Sequence, residues 1–285
     1  MLSPDAMVNG KILDIVKRSV PGIWQVDPRN DVQSSVTPDD DSPISPKVAL
    51  ITGGARRIGR EVALRLAGRG WDIAITYLSS DDAAAELAES IQRLGRQCQI
   101  VRADFSDPET ASASVADAIM KRFDRLDLLL HNASVYEPTE LASINSEALR
   151  FNFAVHCETP VLLTKLLAGH LRESGGTVLT MTDTMLDRTR QSFLAYSLSK
   201  AAAEQMTREL ARSLAPEVTV NAIAPGAILW AEEQDEHERQ QYLSRVPMGK
   251  RGEPADIAAL VEFLCTDGKY ITGQTIRVDG GRSLR

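Results

Sequence analysis

Tyr196 and Lys200 stand four residues apart in "YSLSK", and Asp183 lies thirteen residues before the tyrosine in "TMTDTMLD". Residues four apart share one face of a helix, so a phenol and an ammonium group fall side by side. A neighbouring cation favours the phenolate, which makes Tyr196 a usable proton donor near neutral pH. Asp183 adds a hydrogen-bond acceptor. An ionised carboxylate opposes the negative charge that develops on a carbonyl oxygen during ketone reduction. The N–H groups of a nitrogen heterocycle, in contrast, need acceptors of this kind. In such a ring a hydride adds to the carbon of a C=N bond and a ring nitrogen takes the proton. Held protonated in a closed apolar site, Asp183 would instead share a proton with Tyr196. Thr184, twelve residues before the tyrosine, offers a competing arrangement in which its hydroxyl serves a ketone and Asp183 only caps a turn.

Groups that must act together need a rigid frame. Short β-branched runs, "KVALIT", "WDIAITY", "CQIVRAD", "LDLLLHNA", "GTVLTMTD", "VTVNAIAP" and "TIRVDGG", alternate with helix-length segments such as "REVALRLAGRG" and "DAAAELAESIQRLG". Nearly all-apolar strands alternating with helices predict an α/β fold, a doubly wound Rossmann-like parallel sheet covered on both faces. Ligands bind such sheets beyond the carboxyl ends of the strands. The reading assigns residues 47–285 to this single domain and residues 1–46 to a flexible N-terminal extension. Within the extension, residues 27–46 are rich in Asp, Ser and Pro and read as a linker, while "MVNGKILDIVKRSVPGIW" could form a short amphipathic helix.

The first strand runs into "ITGGARRIGREVALRLA", where Gly53, Gly54 and Gly59 let backbone approach a pyrophosphate at a helix N-terminus. At the tip of the second strand, "AITYLSS", no acidic residue is present to grip ribose hydroxyls. Ser79 and Ser80 stand there, and Arg56 and Arg57 lie in the first turn. Arginine suits a 2′-phosphate through charge-assisted bonding, so NADPH is favoured over NADH. The third strand ends at Asp104, an acceptor for an adenine amino group, and the fourth ends in "HNAS", whose Asn132 and Ser134 can line the cofactor cleft. Each of these could equally cap a turn.

TGxxx followed by xG at 52–59, NAS at 132–134, YxxxK at 196–200, NAIAPG at 221–226 and VDGG at 278–281 together resemble the short-chain dehydrogenase/reductase family over residues 47–285. Arg57 replaces a usual glycine and Asp183 a usual serine. With "HNASVYEPTE" and "APGAILW", these departures resemble the pteridine reductases, including the bacterial dihydromonapterin reductases. The resemblance implies NADPH-dependent reduction of dihydropterins such as dihydromonapterin, dihydrobiopterin or dihydrofolate. It implies that Tyr196 is the acid, that Lys200 holds the nicotinamide ribose, and that Asn152 in "RFNFAVH" organises a water relay, against the competing reading of a helix-interior Asn bonded locally. Cofactor contacts are implied for Gly53, Arg56, Arg57, Ile58, Gly59, Tyr77, Ser79, Asp104, Asn132, Ala133, Ser134, Tyr196, Lys200, Pro225 and Gly226. Substrate contacts are implied for Arg57, Ser134, Tyr136, Asp183 and Tyr196, with Tyr136 supplying an aromatic plane for stacking or else closing the core as an ordinary loop aromatic. Residues 231–245 would form a lid. A homotetramer is implied as well, with helices around 145–169 and 194–214 at its interfaces.

Bulk properties narrow the field. A net charge of −7 over 285 residues argues against nucleic-acid or anionic-membrane partners and for a small-molecule substrate. Cys98, Cys157 and Cys265 lack CxxC spacing, and the four histidines lack metal-ligand spacing, so no metal is expected. No apolar run reaches a membrane span and no signal peptide opens the chain, which makes the cytoplasm the expected compartment. A non-catalytic NADPH sensor that kept the fold is the alternative outside enzymes.

Overall fold

The computed structural model describes residues 45–188, 192–230 and 235–284. The expected extension and linker lie outside these residues up to position 44, as does the start of the expected lid, 231–234. Within the compact unit that begins at Ser45, all seven predicted strands form. They are β1 (Val48–Ile51), β2 (Asp72–Tyr77), β3 (Cys98–Arg102), β4 (Leu128–His131), β5 (Thr177–Met181), β6 (Thr219–Pro225) and β7 (Thr275–Val278). Every pairing is parallel, in the order β3-β2-β1-β4-β5-β6-β7. The doubly wound Rossmann-like fold expected from the alternation is therefore the fold observed.

Why the strands read as unbroken apolar runs follows from their burial. In β1, β4 and β5 every residue is buried. Successive side chains point to opposite faces, so both faces demand apolar residues. Ala49 and Ile51 join one core with Val62 and Leu66 of α1 (Arg57–Gly68), Leu87 of α2 (Asp81–Arg93) and Val261 of α8 (Pro254–Thr266). Val48 and Leu50 join the other, with Val115 of α3 (Pro108–Arg122) and Leu163 and Leu167 of α5 (Thr159–Ser174). Edge strands β3 and β7 are only half covered, in keeping with their more polar sequences.

Two helical elements carry predicted site residues. Helix α4 (Ser146–Phe153), capped by Asn145 accepting from the Ala148 N–H at 2.8 Å, continues through a π-helical turn, Ala154–Glu158, into α5. Helix α6 (Leu194–Leu214) buries Tyr196 and Lys200 within its first two turns. A further helix, α7 (Glu236–Leu243), falls in the segment expected to be a lid and opens with a capping box between Asp235 and Glu238.

Candidate active site

Strand order reverses between β1 and β4, and over their carboxyl ends lies a cleft of about 480 Å³. Parallel sheets leave such a crevice because the helices following neighbouring strands turn to opposite faces. Hydrogen bonds lace the two strand ends together. Thr52 Oγ1 accepts from the N–H groups of Asn132 at 2.9 Å and Ala133 at 3.0 Å. Asn132 Nδ2 donates to the carbonyls of Thr52 at 2.9 Å and Gly53 at 3.0 Å. Gly53 has φ +61°, and a Cβ there would lie 2.9 Å from Ala133 Cα, so only glycine permits this approach.

Arg56 and Arg57 follow, both exposed, both lining the cleft at the N-terminus of α1. Arg57 adopts φ +53°, the left-handed region that glycine occupies without cost, which accounts for the usual glycine at this position. Neither guanidinium is paired with a carboxylate among the described residues. Ile58, Tyr77 and Asp104 complete this end of the wall. Asp104 accepts from the Ser106 N–H at 2.9 Å, and that bond holds its carboxyl below the usual carboxylate range. It therefore both caps a turn and faces the cleft.

At the other end β5 delivers Thr182 and Asp183. Tyr196 donates its phenolic hydrogen to Asp183 Oδ2 at 3.0 Å, and the Met185 N–H donates to Oδ1 at 2.7 Å. Lys200 is buried and donates to the Met181 carbonyl at 2.7 Å. Burial lowers its ammonium to about 8, against the opposing pull of Asp183 and Cys157. Lys200 Nζ lies 5.8 Å from the centre of the Tyr196 ring. Thr184 turns the other way. Its hydroxyl is buried and donates to Asp279 Oδ2 at 2.7 Å, so it takes no part in the cleft wall.

Asp279, from the C-terminal "VDGG", also accepts from the N–H groups of Gly281 and Ser283, both at 2.9 Å. A Cβ on Gly226 would meet Asp279 Cα at 2.8 Å, so the "APG" and "VDGG" turns pack as one unit and set Pro225 and Gly226 against the cleft. Tyr136 lines the cleft with its ring stacked on Phe193 at 4.3 Å and edge-on to Tyr196 at 4.8 Å.

Two residues predicted to contact the cofactor, Gly59 and Ser79, and the predicted water-relay residue Asn152 stand off the cleft wall. Gly59 is buried beneath Asn132, where a Cβ would lie 2.8 Å from Asn132 Nδ2. Ser79 sits one residue beyond Leu78, the last of its loop to reach the cleft. Asn152 is buried in α4, its Nδ2 donating locally to the Ala148 carbonyl at 2.9 Å while Oδ1 finds no partner among the described residues. Other residues of the site escaped the sequence reading. Met181, Thr182, Phe105 and Val135 were open to discovery as neighbours of strand ends. Phe193 and His156 were not, because their places depend on how α6 and the π turn pack. His156 sits directly behind the wall, its ring edge-on to Tyr196 at 5.7 Å. Burial disfavours the thiolate at all three cysteines, pushing Cys98 and Cys265 up to about 12 and Cys157 up to about 11. Among the described residues no helix is long and apolar enough to cross a membrane.

The donor set fits a dinucleotide. A glycine turn at a helix N-terminus and two exposed arginines lie at one end, and a buried ammonium beside a phenol at the other. Comparison with known proteins agrees. A family model described as enoyl-(acyl carrier protein) reductase matches residues 53–283. The dihydromonapterin reductase of Shigella boydii serotype 4 is 35% identical over 244 residues, 84% of this chain and 98% of the relative. Acetoin dehydrogenase from Enterobacter cloacae superposes with a TM-score of 0.78 at 29% identity, over 85% of this chain and 97% of that one. A blue fluorescent protein from a metagenomic library, solved in complex with NADPH, superposes at 0.77 and 29%, over 83% and 97% respectively. Agreement that runs from the first glycine turn to the C-terminal turn, across nearly the full length of these relatives, makes the chain an oxidoreductase of the short-chain dehydrogenase/reductase family.

Proposed function

We propose that the enzyme reduces the C=N bond of 7,8-dihydropterins with NADPH, giving the tetrahydro forms. One observation carries this reading: at the position beside the acid stands a carboxylate, Asp183, bonded to Tyr196 at 3.0 Å, while the adjacent hydroxyl of Thr184 is committed to Asp279 at 2.7 Å. A ketone would meet a charge of the wrong sign and no donor beyond the phenol. A pterin would meet an acceptor for its N–H groups. The name of the 35%-identical relatives, dihydromonapterin reductase, supports the same substrate class. Acetoin dehydrogenases among the structural relatives make ketone chemistry the comparison to beat.

The bound nicotinamide would supply the hydride. Tyr196 would give its proton to the ring nitrogen, and Lys200 would stabilise the phenolate left behind. Asp183 would hold the pterin edge, Ser134 and Tyr136 its flank. Arg56 and Arg57 would take the 2′-phosphate and pyrophosphate, which favours NADPH by about tenfold or more. The assembly would be a homotetramer in the cytoplasm.

Wild type, Asp183→Ser and Thr184→Val should be assayed with NADPH against dihydromonapterin, dihydrobiopterin, dihydrofolate and a panel of ketones. Asp183→Ser is expected to lose about 10- to 100-fold in kcat/KM for dihydropterins, the worth of hydrogen bonds to a charged acceptor. Thr184→Val should lose far less of that activity. Robust ketone reduction by wild type with no pterin consumed would overturn the assignment.

A further inference from the structure

His156 is 3% exposed, lies on the π-helical turn between α4 and α5, and turns Nε2 to the wall of the cleft and Nδ1 to Ser199 of α6 behind it. Such turns add a residue to a helix and re-aim its side chains, often at functional sites. Nε2 lies 3.3 Å from the backbone N of Val135 and 2.9 Å from Ser134 Oγ. Nδ1 lies 2.8 Å from Ser199 Oγ, which in turn donates to the Tyr196 carbonyl at 2.8 Å.

The directions of these bonds are fixed by one fact: a backbone N–H can only donate. Val135 therefore makes Nε2 an acceptor, and the ring hydrogen of a neutral imidazole sits on Nδ1. Burial and the neighbouring Lys200 keep the ring neutral, lowering His156 to about 2. Ser199 Oγ accepts from Nδ1–H and passes its own hydrogen to Tyr196. Ser134 has one hydrogen, and the closer of its two acceptors is Nε2, at 2.9 Å against 3.3 Å for the Val135 carbonyl. With either acceptor its hydrogen is turned away from a ligand.

We propose that His156 is a positioning residue for substrate selection, fixing Ser134 Oγ as a hydrogen-bond acceptor toward the cleft so that ligands carrying N–H donors are favoured at that edge. Resting on the dihydropterin reading, it pairs Ser134 after β4 with Asp183 after the adjacent β5 as two acceptors on neighbouring strand ends. A carbonyl-bearing ligand would find neither one a donor.

Two experiments test this. In wild-type protein, ¹⁵N NMR of the histidine side chains near neutral pH, with the His156 signal assigned by its loss in His156→Leu, should show hydrogen on Nδ1 and none on Nε2. The opposite tautomer or an imidazolium would overturn the proposal. In kinetics with dihydromonapterin, His156→Leu and Ser134→Ala should each raise KM by about tenfold, roughly one hydrogen bond, and the double variant should be no worse than either. In His156→Leu, NADPH affinity, read by its fluorescence on binding, should stay within about twofold. His156→Gln, whose amide oxygen can accept from Val135 and Ser134, should recover most of the KM. Additive losses, or an equal loss of NADPH affinity, would overturn the proposal. Should wild type consume no dihydropterin, the proposed function falls, and the tautomer still decides the geometry assigned to His156.

Discussion

Lys200 shows how one buried charge couples chemistry to pH. It is fully buried with a carbonyl as its hydrogen-bond partner, and burial lowers it from 10.5 to about 8. Below that value the ammonium is present and can support the phenolate of Tyr196. Above it the charge is lost, so kcat/KM for the dihydropterin should fall about tenfold per pH unit beyond about pH 8. A profile flat to about pH 9.5 would refute the role. Stability should move the other way. Between about 8 and 10.5 the unfolded chain binds the proton more tightly than the folded one, so this group's burial penalty is full below 8 and relieved as pH rises through the window. Urea midpoints measured across that range report it. Tyr196→Phe should abolish turnover while NADPH binding persists; substantial residual turnover would assign the acid elsewhere.

At the level of elements, the turn between β1 and α1 stores strain where ligands bind. Arg57 holds φ +53°. Such a conformation costs a non-glycine residue about 1–2 kcal/mol, partly offset because glycine loses more backbone entropy on folding. Arg57→Gly is thus expected to raise stability by about 0.5–1 kcal/mol in urea unfolding while reducing the preference for NADPH over NADH. Lower stability, or an unchanged cofactor ratio, would contradict the role assigned to Arg57. The turn also illustrates what sequence can disclose. The five inner strands were legible because burial on both faces forces unbroken apolar runs, the two edge strands by their place in the strand-helix alternation, and Asp104, Asn132 and Asp183 as strand-end residues. His156 was not, since a π turn leaves no periodic trace. Nor was the use of Thr184, because two adjacent polar residues after β5 look alike until Asp279 is brought in from 95 positions away.

At the scale of the whole molecule, some of the exposed apolar residues among those described fall on helices expected at subunit interfaces. Phe153, Val161 and Leu166 lie along α4 and α5, and Leu198 lies on α6, the helices expected to meet between subunits. Light scattering at micromolar concentration is expected to give a tetramer; a monomer would remove that assignment. The bond from Thr184 to Asp279 has a bearing on descent. It ties the end of β5 to the C-terminal turn without touching the residue next door that faces the cleft. On the proposed function, fold maintenance and substrate choice are thereby divided between consecutive codons. A lineage could exchange the group at 183, moving between ketone and heterocycle reduction, while the neighbouring tie goes on securing the frame. Diversification at this strand end is expected to concentrate at 183 and to leave the pair 184 and 279 changing together or not at all.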